Sequence, residues 1–469
     1  MSVNGSGKVD HSRRRLLAGM AMGATLGASS RMAFAASEDQ IDRAIATLIT
    51  PENGPLALGD AIKVLEEDAG LSAMPGLILA QRFSPLPRTE TARIMARISG
   101  EPASLDWFEW MLWQEAHPEI RPTAGYVALK RSLFLSIDPN FEVFLREPFL
   151  EPEAMRIRFE EVAWGGVRKD GIPSLDNPDL MPAGEADYLR DSDLVFGVSI
   201  NGDVRAYPLR IMGWHEMFNE VIGGVPVALA YCTLCGAGIL FETAVAARPA
   251  PFVFGSSGFL YRSNKLMFDR ETHSLWNQFT GEPVVGPLVG SGIKLRQRPV
   301  TIEPWGAWRE ANPETQVLSL DTGHRRDYGS GVVYREYFAS QDLMFPALVT
   351  GTALKQKDYI FGIRRQGVAR AWPLEAFRGG RVINDAVGDL SVVLVGEADG
   401  QTVRAYERGA RQFESSIRGL SARDGSAWEI SEEALIGPGG TRLPRVAGHI
   451  AYWFAWDNYL GLRAELYQG

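Results

Sequence analysis

The spacing of apolar positions changes once along this chain. From about residue 40 to 150, Ile41, Ala44, Ile45 and Leu48 recur at intervals of three and four, as do Ala61, Ile62, Val64 and Leu65. That spacing puts them on one face of a helix. Pro51, Pro55 and Pro75 punctuate the connections. Trp107, Phe108, Trp110, Met111 and Trp113 form a thick apolar stripe, read as helical core rather than as a ligand box. After about residue 155 the pattern shortens to apolar runs separated by tight turns. The chain therefore reads as α+β, with a helical N-terminal region followed by a β-rich body of antiparallel hairpins.

The body repeats itself. Asp193-Leu-Val-Phe-Gly-Val198 returns as Asp358-Tyr-Ile-Phe-Gly-Ile363, and Arg205-Ala-Tyr-Pro-Leu209 as Arg370-Ala-Trp-Pro-Leu374. Asn219-Glu-Val-Ile-Gly223 returns as Asn384-Asp-Ala-Val-Gly388, all at one offset of 165 residues. Ser274-Leu-Trp276 pairs with Ser426-Ala-Trp428, and Gly286-Pro287 with Gly437-Pro438, at shorter offsets. A duplication whose second copy is shorter accounts for this. It divides the chain into a leader (1–35), a helical region (36–154), a first repeat (155–345) and a degenerate second repeat (346–469).

Each repeat opens on a hairpin turning at Asn201-Gly202 or Gln366-Gly367. A second hairpin follows, turning at Gly223-Gly224 or Gly388-Asp389, dipeptides of the two-residue class. Facing residues of the Gly223-Gly224 hairpin sum to 447, and His215 with Cys232 satisfies that sum. An unbroken register sets the two opposite, with Cβ atoms about 5 Å apart. In the second repeat Gly380 and Glu397 take those places, and Gly400 replaces Cys235.

The chain has only two cysteines, in one C-x-x-C, Cys232 and Cys235. A secreted protein stapled by disulfides carries several, spread apart. With His215, the pair supports three readings. The first is a metal site of Cys232, Cys235 and His215 with a fourth ligand from Met267, Glu216 or water; copper is favoured, because two thiolates, an imidazole and a weak thioether suit it, whereas water in the fourth place would suit zinc. The second is a thiol–disulfide oxidoreductase, although Gly236-Ala-Gly-Ile-Leu-Phe-Glu242 reads as a strand where a thioredoxin-like fold has a helix. The third is a ligand- or partner-binding scaffold with a structural disulfide, its sticky surface supplied by Trp107–Trp113 or Tyr452–Trp456. Asp170, Asp176 and the Asp269-Arg270 pair read as turn-holding groups.

Charge and the first 35 residues place these readings in a compartment. Ser12-Arg-Arg-Arg-Leu-Leu17, a short Ala/Gly-rich apolar stretch and Ala33-Phe-Ala35 form a twin-arginine export signal. The expected partner during export is the twin-arginine translocase, and the expected location is the periplasm. Of the net charge of −9, this leader contributes +4, leaving −13 on the remainder. So acidic a chain, with no long basic run, is ill suited to nucleic acid. No stretch is apolar enough to span a bilayer. A redox or metal-delivery partner is implied by the Cys readings and is not named by any motif.

These residues resemble a family of exported bacterial and archaeal proteins known only as a domain of unknown function. Its hallmarks are matched by His215-Glu-Met-Phe-Asn-Glu220, Gly223-Gly-Val-Pro-Val227 and Tyr231-Cys-Thr-Leu-Cys-Gly236. Lys169-Asp-Gly-Ile-Pro-Ser-Leu-Asp176, Leu266-Met-Phe-Asp-Arg270 and Tyr452-Trp-Phe-Ala-Trp456 fit as well. The resemblance covers roughly 155–460 and implies an exported protein with a shared site, but no particular reaction.

Overall fold

Residues 36–50, 53–84, 88–416, 419–460 and 464–469 are described by the computed structural model; the segment expected to act as an export signal (1–35) and Pro51 lie outside the described residues. The first helix, Glu38–Ile49, starts at a capping box in which Ser37 Oγ accepts from Gln40 N and Gln40 Oε1 accepts from Ser37 N. Its face of Ile41, Ala44, Ile45 and Leu48 is buried, as the spacing predicts. In the helix Trp107–Ala116, Trp110 and Met111 are buried, and Trp107 and Trp113 pack partly buried against the same core.

That core continues into the β-rich body. Phe134, Phe141 and Phe144 from the helical region surround Phe259, with ring centroids 5.1, 4.5 and 6.1 Å away. Phe144 also meets Phe268 at 4.8 Å. Burying each such ring contributes about 2 kcal/mol, so the helices and the body stabilise each other. Ala36–Gly469 accordingly forms one compact unit.

The body consists mostly of antiparallel sheets, and the two repeats use matching registers. In the first hairpin, Leu194–Ile200 pairs with Asp203–Pro208 so that Gly197 faces Ala206; in the second repeat Tyr359–Arg365 pairs with Val368–Pro373 so that Gly362 faces Ala371. The next hairpins set Phe218 against Leu229 and Ile383 against Leu394. A third strand continues each sheet, with Cys232 opposite Ala237 and Glu397 opposite Thr402. Every one of these pairs keeps the 165-residue offset. The turns match too: Asn201 and Gln366 both take the left-handed backbone, at φ 52° and 49°. Each second hairpin is braced alike, since Asn219 and Asn384 each make a two-way amide bond to a backbone, Asn219 with Phe254 and Asn384 with Phe413.

Both repeats close in one way, which sequence comparison at the 165 offset does not reveal. Thr301–Pro304 returns to the first strand with Thr301 opposite Gly197, and His449–Tyr452 returns with His449 opposite Gly362. A helix follows each, Trp305–Ala311 and Trp453–Leu460. A further strand then adds in parallel, Val317 beside Ala206 and Leu466 beside Ala371. The indoles of Trp308 and Trp456 lie flush on the strand at Gly197 and Gly362, where a Cβ would come within 2.1 and 2.2 Å of a ring carbon. Tyr452, Trp453, Phe454, Ala455 and Trp456 are all buried. The expectation that Tyr452–Trp456 forms a sticky surface is therefore corrected: this segment is the end of the second repeat's returning strand and the start of its closing helix, both buried. Among the described residues no helix is long and apolar enough to cross a membrane.

Candidate functional site

The C-x-x-C sits in a knuckle. The strand Val225–Cys232 turns through Thr233, Leu234, Cys235 and Gly236 into Ala237–Glu242, with Gly236 N donating to Thr233 O. Gly236 carries φ 60°, and its open flank lies against Tyr359 and Tyr452, which a Cβ would meet at 2.9 and 3.2 Å. Cys232 and Cys235 are joined as a disulfide and are 2% and 0% exposed, so a reagent in solution does not reach them in this conformation.

The second repeat builds the same turn without sulfur. Gln401, the counterpart of Gly236, has φ 53° and donates its N–H to Ala398 O, the counterpart of Thr233 O. The backbone plan of the knuckle thus needs no cross-link. Closing so short a loop also restricts the unfolded chain little, about 2 kcal/mol.

The predicted register holds along the hairpin and stops one residue before His215. Met217 faces Ala230, and Tyr231 N still donates to Glu216 O at 2.8 Å. Glu216, however, adopts the left-handed conformation at φ 53° and ends the helix Leu209–His215. His215 is therefore the last helical residue rather than a strand partner of Cys232. Its Nδ1 lies 3.0 Å from Pro173 O, which can only accept, so Nδ1 carries the proton. Nε2 is then the acceptor for Tyr328 OH at 2.6 Å, and Tyr328 in turn lies 2.6 Å from Thr322 Oγ1. Both ring nitrogens are engaged away from sulfur. Met217, Met267, Cys232 and Cys235, by contrast, belong to one buried cluster. Among the described residues, no group of three or more His, Cys, Asp and Glu is arranged to hold a metal ion.

Burial pushes His215 down to about 4, with the Pro173 hydrogen bond opposing and His324 and Arg326 adding to the fall. The unfolded imidazole titrates near 6.5. Between those values the unfolded chain binds the extra proton, so stability present above about pH 6.5 is lost as pH falls toward 4. Urea denaturation at pH 7 and pH 4.5 should show a loss of about 2 kcal/mol from this group. In His215→Gln, whose amide still donates to Pro173 and accepts from Tyr328, that part of the slope should disappear; an unchanged slope would assign the pH dependence elsewhere.

Around the knuckle is a polar cluster that sequence reasoning named only in part. Glu216 accepts from Thr233 Oγ1 at 2.7 Å through Oε1 and from Lys265 Nζ at 3.1 Å through Oε2. Thr233 lies between the two cysteines, so this buried ion pair reaches into the C-x-x-C itself. Lys265, 3% exposed, also donates to Glu216 O, and burial lowers its pKa against the opposing Glu216 charge. Cys235 Sγ lies 2.7 Å from Asn264 Oδ1 and 3.6 Å from Ser263 O. Both are acceptors, which a thiol proton satisfies and a disulfide cannot. Above the knuckle, Tyr337 OH donates to Leu234 O and Tyr452 N to Cys235 O. A cavity of about 510 Å³ opens beside it, walled by Tyr231, Tyr359, Tyr452, Arg210 and Lys357.

The other polar candidates hold turns. Asp269 accepts from Thr272 N and Trp276 Nε1. Arg270 pairs with Asp170 rather than with its neighbour Asp269. Asp176 accepts from Asn219.

A family model described as a protein of unknown function (DUF3179) matches residues 169–461. The chain belongs to this family. No curated protein and no solved structure matches it. The DUF3179 match begins after the helical region and contains the disulfide, the Glu216–Lys265 pair and the hairpins of both repeats described above. The site is therefore a property of the DUF3179 body, to which the N-terminal helices add packing through Phe134, Phe141 and Phe144.

Proposed function

We propose that this chain is an exported thiol–disulfide protein, sent to the periplasm by the twin-arginine route, in which Cys232 and Cys235 cycle between the disulfide and a dithiol. The observation that carries this reading is the sulfur-free knuckle of the second repeat, which keeps the same turn and register. If the turn forms without a cross-link, the cysteine pair serves chemistry rather than folding. An oxidising compartment suits the disulfide state. The acceptors at Asn264 Oδ1 and Ser263 O suit the reduced state, because the thiol that Cys235 then carries can donate a hydrogen bond to one of them.

In the exchange, a partner dithiol attacks Cys232 or Cys235 as a thiolate, breaking the internal S–S bond and forming a mixed disulfide. The partner's second thiol displaces it and leaves with the new disulfide. Two electrons and two protons pass to this chain. Since both sulfurs are buried, the knuckle must open locally for the partner to reach them, and the Tyr337 OH bond to Leu234 O is one tie that opening would break.

A second reading applies to the dithiol: a copper(I) site formed by Cys232 and Cys235 with the thioether of Met267. It is favoured by Met267 and Met217 sharing the buried cluster of the cysteines, since soft sulfur ligands select copper(I). His215 would join only after releasing Tyr328.

One experiment tests both. Natively exported protein is equilibrated in graded dithiol buffers, and its free thiols are counted by mass tagging. Two thiols should appear together, with a tenfold change per roughly 30 mV and an unchanged near-UV spectrum. Metal analysis of the reduced protein should then find about one copper per chain if the second reading holds, and none in Cys232→Ser. A disulfide that resists reduction until the whole chain unfolds would sink both, leaving a binding scaffold with a structural cross-link.

A further inference from the structure

A second cavity, of about 440 Å³, opens away from the cysteines at the end of the strand Tyr359–Arg365 and is lined by Thr280, Lys294, Gln297, Arg364 and Arg365. We infer that it is a binding site for an oxyanion, the carboxylate or phosphate group of a small organic acid, received by the guanidinium of Arg364 and the hydroxyl of Thr280. The proposal is independent of the redox reading.

Two orphaned polar atoms on the same wall carry it. Arg364 Nε and Thr280 Oγ1 are both buried without a hydrogen-bond partner. Among the described residues no carboxylate forms an ion pair with Arg364. Its nearest compensation is a distant ring contact, 5.9 Å to the Phe279 centroid. Burial pushes the guanidinium down to about 10, with only Glu282 and Tyr459 opposing. Glu282 is already held by Lys294 Nζ at 2.9 Å. The buried His449, whose pKa burial and Arg364 hold well below the usual range, supplies no counter-charge.

Arg364 is half-buried, but an Nε–H buried without an acceptor still costs free energy to fold around, and a bound oxyanion would supply both the acceptor and the missing counter-charge. A guanidinium and a hydroxyl lining one cavity with two exposed cations, Lys294 paired to Glu282 and Arg365 to Asp389, form a donor set that suits a carboxylate or phosphate. The volume exceeds what inorganic phosphate fills, which points to an anion on an organic body. The first repeat shows that the scaffold does not need the charge. Ser199 stands where Arg364 does, and its hydroxyl is satisfied by Glu433.

The test compares melting temperatures of the whole chain with inorganic phosphate, with citrate and with sodium chloride at matched ionic strength. Phosphate or citrate should raise the wild-type melting temperature beyond chloride; whichever acts at lower concentration identifies the anion class. Arg364→Met should lose that shift and melt no lower than wild type without ligand, because a buried Nε–H without an acceptor has gone. Thr280→Val, a smaller change that serves if Arg364→Met does not fold, should weaken the anion about tenfold. Anion shifts no larger than chloride's, a shift that survives both substitutions, or an Arg364→Met that melts lower would each overturn the assignment.

Discussion

Lys265→Met should lower the unfolding free energy by about 3–5 kcal/mol, read as a shift of the urea midpoint at constant slope. The cost arises because Glu216, 6% exposed, would lose the ion-pair partner that now lies 3.1 Å away. Removing both charges is a different matter, since a buried pair often adds little net stability over neutral groups. The double variant Lys265→Met/Glu216→Gln should therefore recover most of the loss, because the amide that replaces the carboxylate can still bond Thr233. If the double variant is as unstable as the sum of the two single ones, the residues act separately and the ion-pair account fails. The site reading adds a second readout. Glu216 holds Thr233 between the cysteines, so Lys265→Met should also make the disulfide easier to reduce.

This pair shows where the sequence stops being readable. The second hairpin is legible because its side chains alternate with period two around a Gly-Gly turn, and the duplicated copy repeats the register. Nothing local announces that Glu216 turns left-handed. One residue in that conformation converts His215 from a strand neighbour of Cys232 into a helix terminus bonded to Pro173 and Tyr328. Lys265 is invisible for another reason: it lies 49 residues from Glu216, and only the packing of two sheets brings them together. Cys232, Cys235 and Met267 all enter one large buried cluster, because all three are apolar enough to join a core. The arrest of the register at Glu216 thus removes His215 from the strand position facing Cys232. The Asn219 and Asn384 braces could have been found, since a repeated Asn inside a strand pattern is unusual, and each is a side chain completing backbone bonds. The closing helices left a signal as well, in the paired W-x-x-W of Trp305–Trp308 and Trp453–Trp456, hidden by its different offset.

Those helices supply the other large expected effect. Gly197→Ala and Gly362→Ala should each destabilise the chain by about 3 kcal/mol or more, since the new methyl overlaps a buried indole. The two differ in how far the ring can retreat. Trp308 is pinned by a hydrogen bond from Nε1 to Thr315 Oγ1 at 3.0 Å, whereas Trp456 Nε1 has no partner. Gly197→Ala should therefore cost more. Trp456→Phe, by shortening the ring, should restore part of the stability lost in Gly362→Ala, and failure to do so would place the strain elsewhere. The consequences for the cysteines should run in the opposite order. The helix carrying Trp456 begins directly after Tyr452, whose N–H holds Cys235 O at 2.8 Å. Displacing Trp456 pulls on that bond and loosens the knuckle; displacing Trp308 does not, because the first repeat's helix follows Pro304, which has no N–H to give. Thiol counting during reduction should then find the disulfide opened sooner in Gly362→Ala than in Gly197→Ala, although Gly197→Ala is the less stable protein. Equal reduction rates, or rates that merely follow global stability, would show that the closing helix does not hold the cysteine pair.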